Sequence, residues 1–328
     1  MVEAIASVFN HVAGTASGAR LAGMITLNRE NAVATGRVIL SFDIEATYHI
    51  YVARGCRLSP SDYTELTRRL AHQVQWLRRM LSRYGVRATF FWVGELARRF
   101  PYLVRALKRD GHEIACHGWA HRSLWSMEPE EAYQDIEQNK AVLEDILGEQ
   151  VWGFRAPSFS IVRQTGWAVS LLAQLGFSYD SSIYPVLHDR YGVRKAPRTP
   201  FVMSYKESEL LELPPATWQV GPMRLAVGGG GHFRFWPETI CRAGIHQLLN
   251  QGGYVTLYFH PWEFDTEQPR LPLSWLDCWR TYTGIAAMPS KLERLLQEYK
   301  FIVAKEAAKQ LDCRRDILPR LQLCEKKG

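Results

Sequence analysis

Short apolar runs alternate along this chain with longer segments whose apolar residues recur at helical spacing. The runs are typical of buried strands, and the longer segments are typical of amphipathic helices that end at a glycine. Strands are predicted at residues 38–42, 88–93, 112–116, 151–154, 178–182, 210–213, 254–259 and 301–304. Helices are predicted at residues 63–84, 101–109, 129–147, 165–175, 237–250 and 290–299.

This alternation indicates a fold class. Strands that alternate with long helices form parallel sheets, and about seven such units in one chain favour a (β/α) barrel over an open sheet. The pattern places one barrel domain at residues 37–304. Residues 1–36 show little periodicity and are predicted to be an N-terminal leader or cover, and residues 305–328 a basic, peripheral C-terminal tail.

Composition narrows the setting of this domain. The chain has 328 residues, 47% apolar and 22% charged, which is an ordinary globular composition. Its net charge of +7 favours an anionic membrane surface or a phosphate-bearing substrate. Nucleic acid is disfavoured because the basic residues are dispersed at helix-face spacing. No oligomeric state is indicated.

The compartment is predicted from what the chain does not contain. The six cysteines include no C-x-x-C pair, which argues against a disulfide scaffold and fits a reducing compartment. No apolar stretch has the length of a membrane span, and the N-terminus does not resemble a signal peptide. We therefore expect a cytoplasmic protein, with peripheral contact to a membrane as an option.

Four of the apolar runs end in residues that bind metal ions or move protons. In barrels, functional residues lie on the loops after the carboxyl ends of strands. Four such segments at this one position predict a metal-dependent active site. The segments are Asp43-Ile44-Glu45, His117 to His121, Arg155-Ala156-Pro157 and His260-Pro261-Trp262-Glu263.

Each segment has a chemical reading and a structural one. His117 and His121 are four positions apart, so a helical turn or tight loop can aim both rings at one ion, although an isolated pair is more often structural. Asp43 and Glu45 lie on one side of an extended strand, where one acid can bind the ion and the other accept a proton. Alone, such a pair usually belongs to a turn.

The other two segments carry the same ambiguity. Arg155 can hold a carboxylate in one orientation, and in isolation a structural salt bridge is equally expected. His260 can donate a proton to a leaving group near neutral pH. Glu263 is either a second polar group of that loop or only a cap.

Taken in this order, the four segments resemble the NodB-type polysaccharide deacetylases of carbohydrate esterase family four, over roughly residues 38–264. The stretch from His260 to Arg270, HPWEFDTEQPR, is similar to a subgroup associated with exosortase and exopolysaccharide loci. The resemblance implies a distorted (β/α) barrel of about seven strands, the NodB-homology fold. It also implies one divalent ion, with Zn²⁺ favoured and Co²⁺, Mn²⁺ or Ni²⁺ as alternatives.

The resemblance also implies roles by position. His117 and His121 match the metal histidines, and Glu45 matches the metal carboxylate. Asp43 matches the catalytic base, and Arg155 matches the residue that orients it. His260 matches the general acid, and Asp180 matches the acid that supports it, with Glu212 as a rival to Asp180. The family usually has adjacent aspartates, so either Asp43 or Glu45 can be the ligand, and Glu45 is favoured. Gly118 stands where a hydroxyl residue is usual.

The function implied is a metal-dependent hydrolase that removes N-acetyl groups. Its substrate would be an N-acetylated sugar, a polysaccharide or a lipid-linked precursor in envelope or exopolysaccharide biosynthesis. One alternative is a small-molecule amidase or deformylase of the allantoinase type on the same scaffold. A non-catalytic carbohydrate-binding protein is the other, although no residue type that the chemistry needs is missing.

Overall fold

A computed structural model describes residues 37–53, 55–188, 191–270 and 273–323. The predicted leader at residues 1–36 and residues 324–328 of the predicted tail lie outside the described residues. Within them the strands are β1 (Val38–Ile44), β2 (Thr89–Trp92), β3 (Glu113–Cys116), β4 (Gly153–Phe154), β5 (Tyr179–Asp180), β6 (Phe201–Tyr205), β7 (Ser208–Glu212), β8 (Thr217–Val220), β9 (Met223–Ala226), β10 (Val255–Phe259), β11 (Phe301–Ile302) and β12 (Arg320–Gln322).

The helices complete the alternation. Over the same described residues they are α1 (Thr47–Ala53), α2 (Pro60–Arg83), α3 (Gly94–Arg99), α4 (Pro101–Arg109), α5 (Pro129–Leu147), α6 (Ala168–Gln174), α7 (Gly230–Phe235), α8 (Glu238–Asn250), α9 (Trp275–Tyr282), α10 (Met288–Glu298) and α11 (Ala304–Asp312).

Seven strands run parallel in the order β10-β1-β2-β3-β4-β5-β7. Among the described residues no ladder joins β7 to β10, and isolated parallel bridges connect Pro215 to Thr256 and Gly229 to Tyr258. β6 pairs antiparallel with β7, and β12 pairs with β6. The predicted α/β fold with a parallel sheet of about seven strands is confirmed, whereas closure of that sheet into a distorted barrel stays a prediction.

Helix α2 shows how the sequence builds the outer layer. The Ser59 hydroxyl accepts a hydrogen bond from the N–H of Asp62, whose carboxylate accepts one from the N–H of Ser59, so a capping box begins the helix. Apolar residues then recur every three or four positions and are buried on one face. They are Leu66, Leu70, Val74, Leu77 and Leu81.

The register brings four strand ends to one edge of the sheet. Phe42 near the end of β1 lies opposite Phe259 at the end of β10. Cys116 at the end of β3 lies opposite Phe154 at the end of β4. Because neighbouring parallel strands end together, the residues that follow them gather at the same edge.

The described part of the predicted tail packs on the sheet. Helix α11 buries Ala304, Ala307, Ala308 and Leu311, and β12 extends the sheet beyond it. The domain boundaries themselves stay a prediction. Among the described helices, none combines the length and the apolar character that crossing a bilayer requires.

Candidate active site

Three side chains that can ligate a metal meet at this edge. One donor atom each of Glu45, His117 and His121 lies within 4.8 Å of the other two. Glu45 follows β1 and His117 follows β3, and both are buried, whereas His121 is brought back over them by a short loop. The spacing allows one ion to contact all three.

The loop between the histidines depends on its glycine. Gly118 has a φ of +72°, and a Cβ there would meet Asp135 Oδ2 at 3.1 Å and Pro157 Cγ at 3.3 Å. Asp135 accepts a hydrogen bond from the N–H of Trp119 at 2.7 Å, which holds the turn. The two histidines therefore converge through a tight loop rather than a helix, and Gly118 serves the backbone of that loop.

The protonation of the donor cluster fits a divalent ion. The Nδ1 of His117 lies 2.7 Å from the carbonyl oxygen of Arg155, which can only accept, so Nδ1 carries the proton and Nε2 the lone pair. Burial lowers the pKa of His117 to about 4, which keeps the ring neutral. Burial alone would raise the pKa of Glu45, but His121 and His260 outweigh it and hold it below its ordinary value.

The second carboxylate, Asp43, pairs with Arg155. Arg155 Nη1 donates to Asp43 Oδ1 at 2.6 Å and to the Ser41 hydroxyl at 2.9 Å. Its Nε and Nη2 donate to the carbonyl and the hydroxyl of Ser181 at 3.0 and 2.8 Å. The other oxygen of Asp43, Oδ2, lies 3.9 Å from His260 Nε2. The guanidinium thus holds the carboxylate in one orientation.

His260 lies opposite both acids. Its Nε2 is 3.7 Å from Glu45 Oε1, and its Nδ1 is 3.3 Å from Glu263 Oε2. Burial alone would lower the pKa of His260, but Glu45, Glu263 and Asp43 outweigh it and raise the pKa to about 9. The Trp262 ring stacks on the imidazole, and its N–H donates to Glu45 Oε1 at 3.3 Å. The geometry suits a ring that carries a proton.

Two family models match parts of this chain. Residues 71–179 match the family model described as Polysaccharide deacetylase, and residues 181–309 match one described as Domain of unknown function (DUF3473). Neither match reaches half of the chain, and residues 71–179 are similar to the polysaccharide deacetylase family.

Curated relatives match parts of this chain. The peptidoglycan deacetylase-like protein FGM2 of Gibberella zeae is 29% identical over 166 residues, 50% of this chain and 48% of that protein. The peptidoglycan-N-acetylglucosamine deacetylase of Bacillus cereus is 32% identical over 89 residues, 27% of this chain and 32% of that protein. The chain thus spans about half or less of these relatives.

A solved structure shows the same fold over most of this chain. A Mycobacterium smegmatis protein described as a polysaccharide deacetylase aligns over 88% of this chain and 94% of its own, with a TM-score of 0.59. Because the sequence identity is 21%, this likeness concerns the fold alone.

Asp180 and Glu212, the residues weighed as support for His260, have other partners in the described structure. Asp180 accepts hydrogen bonds from the N–H and the hydroxyl of Ser182 at 3.0 and 2.6 Å. Glu212 lies opposite Asp180 on the neighbouring strand. Glu263 is the carboxylate at hydrogen-bond distance from His260 Nδ1 in the described structure.

Sequence reasoning did not single out the residues around Glu263. Glu263 is three positions after His260, which is capping-box spacing, so a signal for its contact was present. Arg234 on α7 donates to Glu263 Oε1 at 3.0 Å, and no spacing rule connects these two residues.

The two glycines just before α7, Gly228 and Gly229, lie in close contact with strand β10. Gly229 has a φ of +149°, and a Cβ there would overlap the carbonyl oxygen of Tyr258 on β10. The N–H of Tyr258 donates to the carbonyl of Gly228 at 2.8 Å. Glycine therefore lets this segment reach the strand that ends at His260.

Proposed function

We propose that this chain is a metal-dependent hydrolase that removes N-acetyl groups from an N-acetylated sugar or polysaccharide. One observation carries the proposal: a metal-donor cluster, a carboxylate held by arginine and a histidine lie together at one sheet edge. These groups are Glu45, His117 and His121, the Asp43–Arg155 pair, and His260. The names of the curated relatives support a carbohydrate N-acetyl substrate.

Glu45, His117 and His121 would hold the ion. Two imidazole nitrogens and one carboxylate oxygen are a donor set of catalytic zinc sites, with further positions left open. Zn²⁺ is therefore the proposed ion, and Co²⁺, Mn²⁺ and Ni²⁺ suit the same donors. When bound, such an ion polarises an acyl carbonyl and lowers the pKa of water.

Asp43 and His260 divide the proton transfers. Asp43 Oδ2, whose partner oxygen is held by Arg155, accepts a proton as water adds to the acyl carbon. His260 donates a proton from Nε2 to the amine nitrogen as the C–N bond breaks. The products are acetate and the free amino sugar.

The proposed biological setting is envelope or exopolysaccharide biosynthesis. The net charge of +7 supports an anionic surface or a phosphate-bearing, lipid-linked substrate. The spacing of Asp43 and Glu45 by Ile44 also suits the rival, a small-molecule amidase.

Acetate release separates these substrate classes. Metal-depleted protein is assayed on N-acetylglucosamine oligomers of increasing length and on allantoin and N-formyl amino acids, after each of the four ions is added. We expect acetate from the oligomers, dependent on the ion. Turnover of the small amides in place of the oligomers would establish the amidase instead.

Two variants separate the roles of the residues. Asp43→Asn is expected to lower acetate release about 100- to 10,000-fold while the ion still binds, because the donor cluster is intact. His117→Ala is expected to lose both acetate release and ion binding, because it removes a donor of the cluster. Ion binding is measured by calorimetry. The control is His72→Asn, at an exposed position, which should change neither acetate release nor ion binding. Undiminished turnover by Asp43→Asn would remove Asp43 from the reaction.

A further inference from the structure

Glu263 contacts His260 at two places. Its Oε2 accepts a hydrogen bond from the backbone N–H of His260 at 3.0 Å and lies 3.3 Å from the ring Nδ1. Glu263 is 0% exposed, so water does not compete for the carboxylate. An ionised carboxylate can only accept, and the ring proton is therefore held at Nδ1. The ring then presents Nε2 to Asp43 and Glu45.

Arg234 holds Glu263 from the opposite side. Its Nε donates to Glu263 Oε1 at 3.0 Å. Its Nη1 donates to the carbonyl of Thr281 at 2.6 Å, and its Nη2 to the carbonyl of Arg280 at 3.0 Å. Because these backbone acceptors belong to α9, they fix the plane of the guanidinium. The carboxylate is thereby fixed between an arginine and a histidine.

We propose that the Arg234–Glu263 pair positions His260, by fixing both the ring orientation and the Nδ1–H tautomer. Nε2 is then the atom that gives its proton to the leaving amine, and the ring keeps the proton at Nδ1. In this role Glu263 acts through His260, the residue its carboxylate contacts. The inference rests on the proposed deacetylase reaction, since it assigns a role within it.

The tautomer tests the inference without turnover. Long-range ¹H–¹⁵N spectra of histidine-labelled, metal-free protein at alkaline pH distinguish Nδ1–H from Nε2–H, and His260→Gln identifies the signal. We expect Nδ1–H in the wild type. In Glu263→Gln we expect a shift towards Nε2–H, because one amide oxygen cannot serve both Arg234 and His260. A wild-type ring protonated at Nε2 would overturn the proposal, whether or not the protein deacetylates sugars.

Two leaving groups then separate positioning from mere structure. An amide nitrogen must be protonated to leave, whereas the phenolate of an aryl acetate leaves without a proton. For Glu263→Gln on N-acetylglucosamine oligomers, we expect kcat to fall about 10- to 100-fold with KM within about twofold. On p-nitrophenyl acetate we expect a loss below about threefold. Equal losses on both substrates would show a structural role and refute positioning.

Two further variants complete the experiment. Arg234→Met should repeat the loss that is selective for amides, because Glu263 loses its anchor. Glu298→Gln is the matched control: Glu298 Oε1 lies 3.7 Å from His246 Nε2 between α8 and α10, away from the site, and both rates should be unchanged. If Glu263→Gln does not fold, the tautomer of His260 in the wild type still tests the proposal. A wild type inactive on every N-acetylated sugar would refute the proposed function alone.

Discussion

Arg155 joins three strand ends through one buried guanidinium. It follows β4, donates to Ser41 and Asp43 on β1, and donates to Ser181 after β5. Its guanidinium carbon lies 4.1 Å from the ring centroid of Phe91 on β2. Its removal would leave the Asp43 carboxylate in a dry interior without its cation, which is costly. The residue thus contributes to stability as well as to the site.

Arg155→Met is expected to lower the free energy of unfolding by about 3 to 5 kcal/mol. In the Asp43→Asn background the same change should cost less by about 1 to 3 kcal/mol, because no buried charge is left unpaired. Urea unfolding of the four metal-free proteins measures this coupling. Arg294→Met, which removes an exposed partner of Glu238, should have a much smaller effect. Additive single changes would show that the pair is not coupled.

At the scale of residues, the candidate site was predictable where a strand end supplied the signal. Asp43, His117 and His260 each follow an apolar run, and their position brought them into the prediction. The division of work between Asp43 and Glu45 was not predictable, because it depends on how two neighbouring side chains turn. The Asp43 carboxylate accepts a hydrogen bond from Arg155, whereas Glu45 belongs to the donor cluster. Their catalytic roles stay predictions.

At the scale of elements, β4 and β5 approach each other closely because of one glycine. Gly153 on β4 lies opposite Tyr179 on β5, and a Cβ at Gly153 would overlap the tyrosine ring and hydroxyl. The ring is fully buried, and its hydroxyl donates to Glu113 Oε1 at 2.8 Å. Tyr179 therefore cannot move aside without breaking a buried hydrogen bond.

Gly153→Ala is expected to lower the free energy of unfolding by about 1 to 3 kcal/mol through overpacking. Gly231→Ala is the matched control, because its Cβ would make only ordinary contacts, at 3.5 Å to Arg234 and 3.6 Å to Phe235. Since alanine is favoured in helices, this control should be neutral or gain up to about 1 kcal/mol. Chemical denaturation compares the two variants, and a Gly153→Ala protein as stable as the control would contradict the packing described.

Elements that belong to the strand–helix alternation were predictable from local signals. Helices α4 and α5 were predicted with the bounds they have, because each begins at a proline and is followed closely by a glycine. The hairpin β8–β9, the strand β6 and the edge strand β12 were not predicted. Strands β8, β9 and β12 are short and partly exposed, so no continuous apolar run marks them in the sequence.

At the scale of the whole molecule, buried ionisable groups make stability depend on pH in two directions. Burial raises the pKa of Glu113, and burial beside Asp180 raises that of Glu212 well above its ordinary value. A pKa raised by folding gives stability that is lost as pH rises through the folded value. Burial lowers the pKa of His112 to about 4, so its contribution is lost as pH falls. The free energy of unfolding is therefore expected to be highest at an intermediate pH and to fall on both the acid and the alkaline side of it.

His112 allows the acid side to be tested, because it lies away from the candidate site. Its Nδ1 accepts the N–H of Ala88 at 3.2 Å, an acceptor that protonation would remove. Arg78 and Arg87 add to the lowering of its pKa, and Asp110 opposes it. A pKa lowered from 6.5 to about 4 corresponds to about 3 kcal/mol of stability. This contribution is complete above pH 6.5 and is lost progressively down to pH 4.

His112→Asn should remove the part of the acid-side slope that His112 contributes. Asparagine keeps a short acceptor for the N–H of Ala88 but does not titrate, so its free energy of unfolding should fall less between pH 6.5 and 4 than that of the wild type. Urea midpoints across this range measure the difference in metal-free protein. His72→Asn, at an exposed position on α2, should leave the wild-type slope unchanged. Parallel curves for the wild type and His112→Asn would mean that His112 does not carry the acid sensitivity, because only a group that titrates differently in the folded and unfolded chain can produce a slope.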